Sequence, residues 1–186
     1  MSLIFSQLKE NNFDGVLRLI KINKNCIYEK NENDLGPIFF CLNSYDITKI
    51  IIEYDTNCLN CTNANGNTPL HIACMMRINN SSNMRVINYL INQNPSMLYV
   101  ANTLGNLPLH VAVQITREPS CWRETIELIH LMLSIYPKGA NCQNNDGKLP
   151  LHYACAKNCP FEGIAALVEV CISKCCLGVI LDLRIQ

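Results

Sequence analysis

Short apolar segments with helical spacing occur in pairs along this chain, and polar runs separate them. Apolar residues at positions i, i+3 and i+4 mark one face of an amphipathic helix. The clearest such segments lie at residues 84–93, 123–135 and 163–173, and weaker ones at 5–9, 13–22 and 47–53. Pro95 and Pro137 end two of them, because proline cannot continue a helix. The pattern predicts about five helix pairs joined by turns.

A ten-residue phrase with fixed turn and helix chemistry occurs three times. It reads NGNTPLHIAC at 65–74, LGNLPLHVAV at 104–113 and DGKLPLHYAC at 146–155. The glycine takes positive φ without steric cost, and the proline suits the first position of a helix, where its N–H is not needed. Leucine then starts an apolar face, and alanine three residues later permits close helix approach. Each copy therefore predicts a turn followed by a helix.

The phrase resembles the opening of an ankyrin repeat, in which Thr-Pro-Leu-His-x-Ala begins the first of two helices. The residues that carry the resemblance are Thr68, Pro69, Leu70, His71, Ala73, Pro108, Leu109, His110, Ala112, Pro150, Leu151, His152 and Ala154. Leu107 and Leu149 replace the threonine in the later copies, and a weaker copy keeps Pro37 with an apolar pair. The resemblance implies an all-α fold, an ankyrin-repeat solenoid of stacked antiparallel helix pairs with β-hairpin-like turns.

The resemblance also divides the chain into units. The expected units are a degenerate N-terminal helix pair or cap at 1–33, a degenerate repeat at 34–65, repeats at 66–104, 105–146 and 147–173, and an atypical apolar tail at 174–186. The tail is expected to be an unprotected terminus, a strand-like segment or the end of a truncated chain. The phrase histidines lie 39 and 42 residues apart, more than the family period of about 33. We expect the extra residues to form loops around 77–83 and 116–122.

Composition excludes several classes of protein. Fifteen basic and fifteen acidic residues give a formal net charge of zero, so no basic excess holds a phosphate backbone, and a nucleic-acid partner is not expected. No run of 18 apolar residues predicts a membrane span. The start of the chain lacks the pattern of an export signal, which favours a cytoplasmic location, with the nucleus left open, and free thiols. We read the heavy use of asparagine as a composition bias without functional meaning.

The three phrase histidines are better suited to structure than to metal binding. Equivalent residues of successive helix pairs stand roughly 10 Å apart, whereas zinc needs ligand nitrogens about 2 Å from the metal. We therefore predict near-buried imidazoles that tie each turn to the start of its helix. No cofactor and no metal are expected at these positions.

The twelve cysteines leave a second chemistry open. Cys58 and Cys61 form a lone Cys-x-x-Cys, and a denser group contains Cys155, Cys159, Cys171, Cys175 and Cys176. A zinc or redox role for this group stays an alternative, although a zinc site needs further ligands. Cys155 follows His152 by three residues, but the histidine is already assigned to the turn, and no nucleophile or phosphate-loop motif is present. We predict that the chain is not an enzyme.

The expected function is non-catalytic binding of another protein, by a chain that is monomeric. The resemblance implies that the partner docks on the concave surface made of turn tips and first helices. The candidate contact residues, all expected to be exposed, are Asn63, Asn65, Met76, Arg77, Asn102, Leu104, Gln114, Asn144, Asp146, Lys148 and Lys157. An alternative is that the chain is a fragment or targeting arm of a longer ankyrin-repeat protein. The second alternative is the zinc- or redox-linked module.

Overall fold

A computed structural model describes residues 2–76, 81–114, 122–157 and 159–182. In these ranges the chain forms ten α-helices and no β-strand. The helices are α1 (Leu3–Lys9), α2 (Phe13–Ile22), α3 (Ile38–Cys41), α4 (Tyr45–Tyr54), α5 (Pro69–Met75), α6 (Ser81–Gln93), α7 (Pro108–Ala112), α8 (Trp122–Ile135), α9 (Pro150–Ala156) and α10 (Phe161–Asp182). Side chains are described from residue 2 to residue 172 of these ranges, except at 81 and 82.

The helices form two layers in a linear stack. The short helices α1, α3, α5, α7 and α9 form an inner layer, and each packs against the longer helix that follows it. Neighbouring inner helices also pack against one another, as do α2 with α4, α4 with α6 and α8 with α10 in the outer layer. This arrangement confirms the predicted all-α stack of helix pairs.

Burial of the predicted apolar faces holds the layers together. Val86 and Leu90 of α6 are 1% and 0% exposed, and Ile129 of α8 and Leu167 of α10 are 0% exposed. Burying one such side chain contributes about 1.5–3 kcal/mol to stability. The core is a band of these residues that runs along the stack between the layers.

A five-residue 3₁₀-helix follows four of the outer helices, and the periodicity did not predict it. These helices lie at Lys24–Tyr28, Thr56–Asn60, Pro95–Tyr99 and Pro137–Asn141. Pro95 and Pro137 start two of them, so the prediction that these prolines end α6 and α8 is confirmed. Asn23 and Asp55 start the others by accepting a hydrogen bond from the backbone N–H two residues later. Each 3₁₀-helix buries its third and fourth residues, which leads the chain back toward the next turn.

Two segments differ from the sequence expectations. The loop expected around 77–83 is shorter, because α6 already begins at Ser81. A strand-like tail is wrong for residues 174–182, which continue α10 to Asp182. The physical reason is that this segment contains no proline that would end a helix. Residues 77–80, 115–121 and 183–186, where the remaining loop and tail expectations fall, lie outside the described residues.

Candidate protein-binding surface

Four turns of one design lead into the inner helices α3, α5, α7 and α9. They span residues 31–36, 63–68, 102–107 and 144–149, and we call them the first to fourth turns. Each begins with an asparagine whose Oδ1 accepts hydrogen bonds from the backbone N–H groups two and four residues later, at 2.9–3.0 Å. The asparagine N–H donates in turn to the carbonyl four residues later. These bonds satisfy the backbone within the turn and fix its shape.

Glycine at the fourth position of a turn permits both its conformation and the approach of the next turn. Gly66, Gly105 and Gly147 have φ values of 70°, 74° and 71°. A Cβ atom on Gly66 would lie 2.9 Å from the backbone nitrogen of Thr103, and one on Gly105 would lie 2.4 Å from Oδ1 of Asn145. In the first turn this position is Asp34, which takes φ 59°.

Hydrogen bonds join the second, third and fourth turns into a row. The N–H of Thr103 donates to the carbonyl of Asn65 at 3.0 Å, and the N–H of Asn145 donates to the carbonyl of Leu104 at 3.1 Å. The side-chain amides of buried asparagines add a second set of bonds between these turns. We call residues 63–67, 102–106 and 144–148 the turn row.

Buried asparagine amides form this second set of bonds in the turn row. Nδ2 of Asn102 donates to Oδ1 of Asn67, and Nδ2 of Asn144 donates to Oδ1 of Asn106, both at 2.8 Å. A buried amide needs such partners, since an unsatisfied polar group costs about 1–3 kcal/mol. The third and fourth turns are therefore each positioned by the turn before them.

The phrase histidines join the turns to the helices and to one another. Nδ1 of His71 accepts a hydrogen bond from the N–H of Thr68 at 3.2 Å, and Nδ1 of His110 accepts one from the N–H of Leu107 at 3.1 Å. Because an N–H group only donates, Nδ1 is the acceptor and Nε2 carries the hydrogen. Nε2 of His71 then donates to the carbonyl of Asn106 at 2.9 Å, and Nε2 of His110 to that of Lys148 at 3.2 Å.

This geometry confirms the predicted structural role of His71 and His110 and extends it across repeats. Burial lowers the pKa of both imidazoles from the ordinary value, while the hydrogen bond to the next turn acts in the opposite direction. His152 makes the same bond at the start of α9, with Nδ1 2.9 Å from the N–H of Leu149. Its side chain is exposed, and within the described part of the chain its Nε2 has no partner.

The predicted contact residues divide into three groups. Asn65, Leu104, Asp146, Lys148 and Lys157 are exposed, and Asn63, Met76 and Gln114 are half-buried. The expectation that Asn102 and Asn144 are exposed is wrong: they are 9% and 7% exposed, because their amides hold the turns together. Arg77 lies outside the described residues.

Sequence reasoning missed the asparagine network and part of the surface. Thr103 and Asn145 are exposed at the turn tips, and Met75 is 44% exposed at the end of α5. A signal for the network was present, since an asparagine stands six residues before each of Pro37, Pro69, Pro108 and Pro150. The reading of asparagine as a composition bias is wrong at these positions, where its amide caps the turn.

The N-terminal cysteines Cys41 and Cys58 are buried thiols, and Cys61 is half-buried. Burial raises the pKa of Cys41 and Cys58 to about 12 and that of Cys61 to about 11. The thiol of Cys61 donates to the carbonyl of Cys58 at 2.9 Å. Thiols with such pKa values are protonated at neutral pH and are weak nucleophiles.

The C-terminal cysteines are spread over the last helix pair. Cys155 is exposed and Cys159 is buried, and burial raises the pKa of Cys159 to about 11. Sγ of Cys171 lies 3.8 Å from the carbonyl of Ala140, in the preceding 3₁₀-helix. The side chains of Cys175 and Cys176 are outside the described residues. Among the described side chains, no three His, Cys, Asp or Glu residues come together as metal ligands would.

Several cavities lie at the N-terminal end of the stack, away from the turn row, and two of them are lined by residues of the first turn. One of about 570 Å³ is lined by residues of α1 and the first turn, including Lys9, Lys30 and Glu32. The other, of about 260 Å³, includes Cys58 and Cys61 in its lining. Neither lining contains a histidine, so neither pairs a thiol with the base that nucleophilic catalysis requires.

Comparisons with known proteins agree with the repeat geometry. Residues 39–121 match the family model described as ankyrin repeats (3 copies). A search of curated proteins found no significant match. The matched range begins in α3 and contains the second and third turns; the fourth turn lies beyond it but has the same internal bonds. Within the described ranges, no helix has the length and apolar character needed to span a bilayer.

Proposed function

We propose that this chain is a non-catalytic module that binds another protein, because residues 39–121 match the family model described as ankyrin repeats. Ankyrin repeats are generally protein–protein interaction modules. The partner docks on the concave surface formed by the turn row and the inner helices that follow each turn. The observation that carries the proposal is the hydrogen-bonded turn row, which holds exposed tip side chains at fixed positions.

The chemistry of the surface suits a protein partner. Leu104 is 64% exposed at the tip of the third turn. Contact of its apolar side chain with water is unfavourable, so burying that side chain against a partner would be favourable. Asn65 and Asp146 occupy the equivalent positions in the neighbouring turns. Met75 supplies a second exposed apolar side chain on the inner layer. A mixed surface with little charge predicts slow electrostatic steering and a modest dependence of affinity on salt.

Preorganisation makes this surface favourable for binding. Ordering a mobile loop or side chain on association costs free energy that is subtracted from the affinity. The turn-row backbone is already held by bonds within and between turns. A partner therefore meets a surface that loses little conformational entropy when it binds.

Photo-crosslinking tests the proposed surface. A photoreactive amino acid replaces Leu104 at a turn tip, and in the matched control it replaces Glu127, an exposed residue of the outer helix α8. In an extract of the native source, we expect one partner band with the Leu104 variant and none with the Glu127 variant. Crosslinks of equal strength at both positions, or only at Glu127, would place the contact elsewhere and contradict the proposal. A monomeric state and a cytoplasmic location stay predictions.

A further inference from the structure

The second and third turns each present a fixed set of groups to the turn that follows along the chain. In the second turn these groups are the carbonyl of Asn65, the side-chain-free backbone of Gly66, Oδ1 of Asn67 and the Nε2–H of His71. The third turn presents the equivalent groups of Leu104, Gly105, Asn106 and His110 to the fourth. The following turn bonds to each set through three groups. One backbone N–H donates to the carbonyl, one asparagine Nδ2 donates to Oδ1, and one backbone carbonyl accepts the histidine Nε2–H.

The fourth turn presents most of this set to open space. A Cβ atom on Gly147 would meet no atom within 4 Å, whereas the equivalent atom on Gly105 would meet Asn145 at 2.4 Å. The carbonyl of Asp146 accepts no backbone hydrogen bond from a described residue. His152 is exposed, and its Nε2–H is the donor that the equivalent histidines use on a following turn. We call Asp146, Gly147, Lys148 and His152 the fourth-turn edge.

One residue of the fourth-turn edge differs in chemistry from its equivalents. Lys148 occupies the position of Asn67 and Asn106, whose Oδ1 atoms accept a hydrogen bond from the next asparagine. A lysine ammonium has only donors and carries a positive charge. Its Nζ lies 5.7 Å from the centre of the Tyr153 ring, and the side chain is exposed. A segment that binds here must place an acceptor, such as a carboxylate, near the Lys148 ammonium. An asparagine Nδ2 at that position would bring two hydrogen-bond donors together.

The geometry points to the fourth-turn edge as a second docking site, which takes an acidic turn or extended segment of a partner protein. The segment donates one backbone N–H to the carbonyl of Asp146 and accepts the Nε2–H of His152 on a backbone carbonyl. Its aspartate or glutamate pairs with Lys148. Main-chain bonds of this kind supply affinity and the side-chain contact supplies specificity, as in strand addition to a sheet edge. The inference rests on the proposed protein-binding function and adds a second site at the fourth-turn end of the turn row.

A peptide built on the chain's own fourth turn tests this site. The probe is a synthetic peptide of residues 141–152 with Cys142→Ser, in one version with Asn144 and in the other with Asn144→Asp. In the second peptide, the aspartate at position 144 keeps an oxygen that can cap the peptide's own turn. Its other oxygen replaces Nδ2 and would lie toward Lys148 of the full chain. The full chain, labelled with ¹⁵N, is titrated with each peptide, and the backbone signals of 146–148 and the imidazole nitrogens of His152 are followed by NMR.

We expect the aspartate peptide to shift these signals saturably and to bind up to about fivefold more tightly than the asparagine peptide, as an exposed ion pair allows. The variant Lys148→Asn restores the amide acceptor and should reverse the preference. Equal binding of both peptides, no saturable shift at His152, or an unchanged preference in Lys148→Asn would overturn the proposal. A hydrogen-bonded His152 Nε2–H in the free chain, or dimerisation through this edge, would also overturn it. Crosslinking at Leu104 is independent of all these outcomes, so the two proposals fail separately.

Discussion

At the scale of single residues, one buried amide has two roles in the third turn, and another has the same two roles in the fourth. Oδ1 of Asn102 accepts the N–H groups of Leu104 and Asn106 and so shapes its own turn. Nδ2 of the same residue donates to Asn67 and so places the third turn against the second. A residue without both a donor and an acceptor on its side chain performs only part of this role.

Replacement of Asn102 tests this double role. Asn102→Ala removes three hydrogen bonds and leaves buried backbone groups unsatisfied, so we expect the free energy of unfolding to fall by about 2–4 kcal/mol. Asn65→Ala is the matched control, because the Asn65 side chain is exposed at a tip and should change stability by less than about 0.5 kcal/mol. Urea unfolding followed by circular dichroism measures both. Similar losses in the two variants would show that the amide network contributes little.

The buried imidazoles predict how stability depends on pH. His71 and His110 are neutral in the folded chain, and burial lowers their pKa below that of the unfolded chain, about 6.5. The unfolded chain therefore binds more protons, and stability must fall as the pH drops below about 6.5 toward the folded pKa. Asp55, whose pKa is lowered by the Tyr28 hydroxyl, acts only below about pH 4.

Urea unfolding at pH 7.5, 6.5 and 5.5 measures this dependence. We expect the free energy of unfolding to decrease over this series in the native chain. The double variant His71→Gln/His110→Gln is the control, since glutamine does not titrate and the decrease should become smaller. A free energy that is flat or rises on acidification in the native chain would contradict the assignment of neutral, buried imidazoles.

At the scale of helices, three inner helices share one start but differ in its capping. The residue before proline donates its N–H to the histidine Nδ1 in all three. Only Thr68 adds a hydroxyl, which lies 2.8 Å from Nδ1 of His71. Leu107 is instead packed at 5% exposure, while Leu149 at the start of α9 is half-buried. The same substitution should therefore have opposite effects at the two leucines.

Leu149→Thr should raise the free energy of unfolding by about 0.5–1 kcal/mol, because the hydroxyl caps α9 and little packing is lost. Leu107→Thr should lower it by about 1–2 kcal/mol, because a buried apolar side chain is removed. Thermal unfolding of both variants measures the two changes. A lower melting temperature for Leu149→Thr would show that this leucine is also needed for packing.

At the scale of the whole molecule, the hydrogen bonds between neighbouring turns are distributed unevenly along the stack. No described hydrogen bond joins the first turn to the second, although the second, third and fourth are joined. Leu35 stands where Asn67 supplies an acceptor, so the amide bond between turns has no counterpart. Asp34 stands where Gly66 and Gly105 in the later turns have no side chain between them and the following turn. Among the described residues, the first and second turns are therefore held in place by helix packing and not by hydrogen bonds between the turns themselves.

Amide hydrogen exchange tests whether the first turn lacks the hydrogen bonds that join the later turns. The N–H groups of Thr103 and Asn145 are bonded to the preceding turn, whereas the equivalent N–H of Ala64 has no such bond. We expect Ala64 to exchange at least about tenfold faster than either of the others under native conditions. The variant Asp34→Gly/Leu35→Asn should slow exchange at Ala64 if the two substitutions restore the missing contact. Equal protection of all three amides would show that the first turn is joined to the others.

The fold could be predicted from the sequence because its signals are local. The phrase at 65–74 combines a glycine for the turn, a proline for the helix start and an apolar face, all within one turn and one helix. The 3₁₀-helices were missed because five residues are too few to show a period. The exposure of the proposed contact residues was predicted only in part: Leu104 and Asp146 are exposed as expected, but Asn102 and Asn144 are buried.

The sequence alone determined that helix pairs repeat along the chain, since backbone preferences and apolar spacing act between residues a few positions apart. Only the tertiary structure decided which polar side chains remain free. The bond from His71 to Asn106 spans 35 residues, and the bond from Asn145 to Thr103 spans 42. Whether an amide points to solvent or to a neighbouring turn depends on the register between turns, and that register is set by the packing of the helix layers.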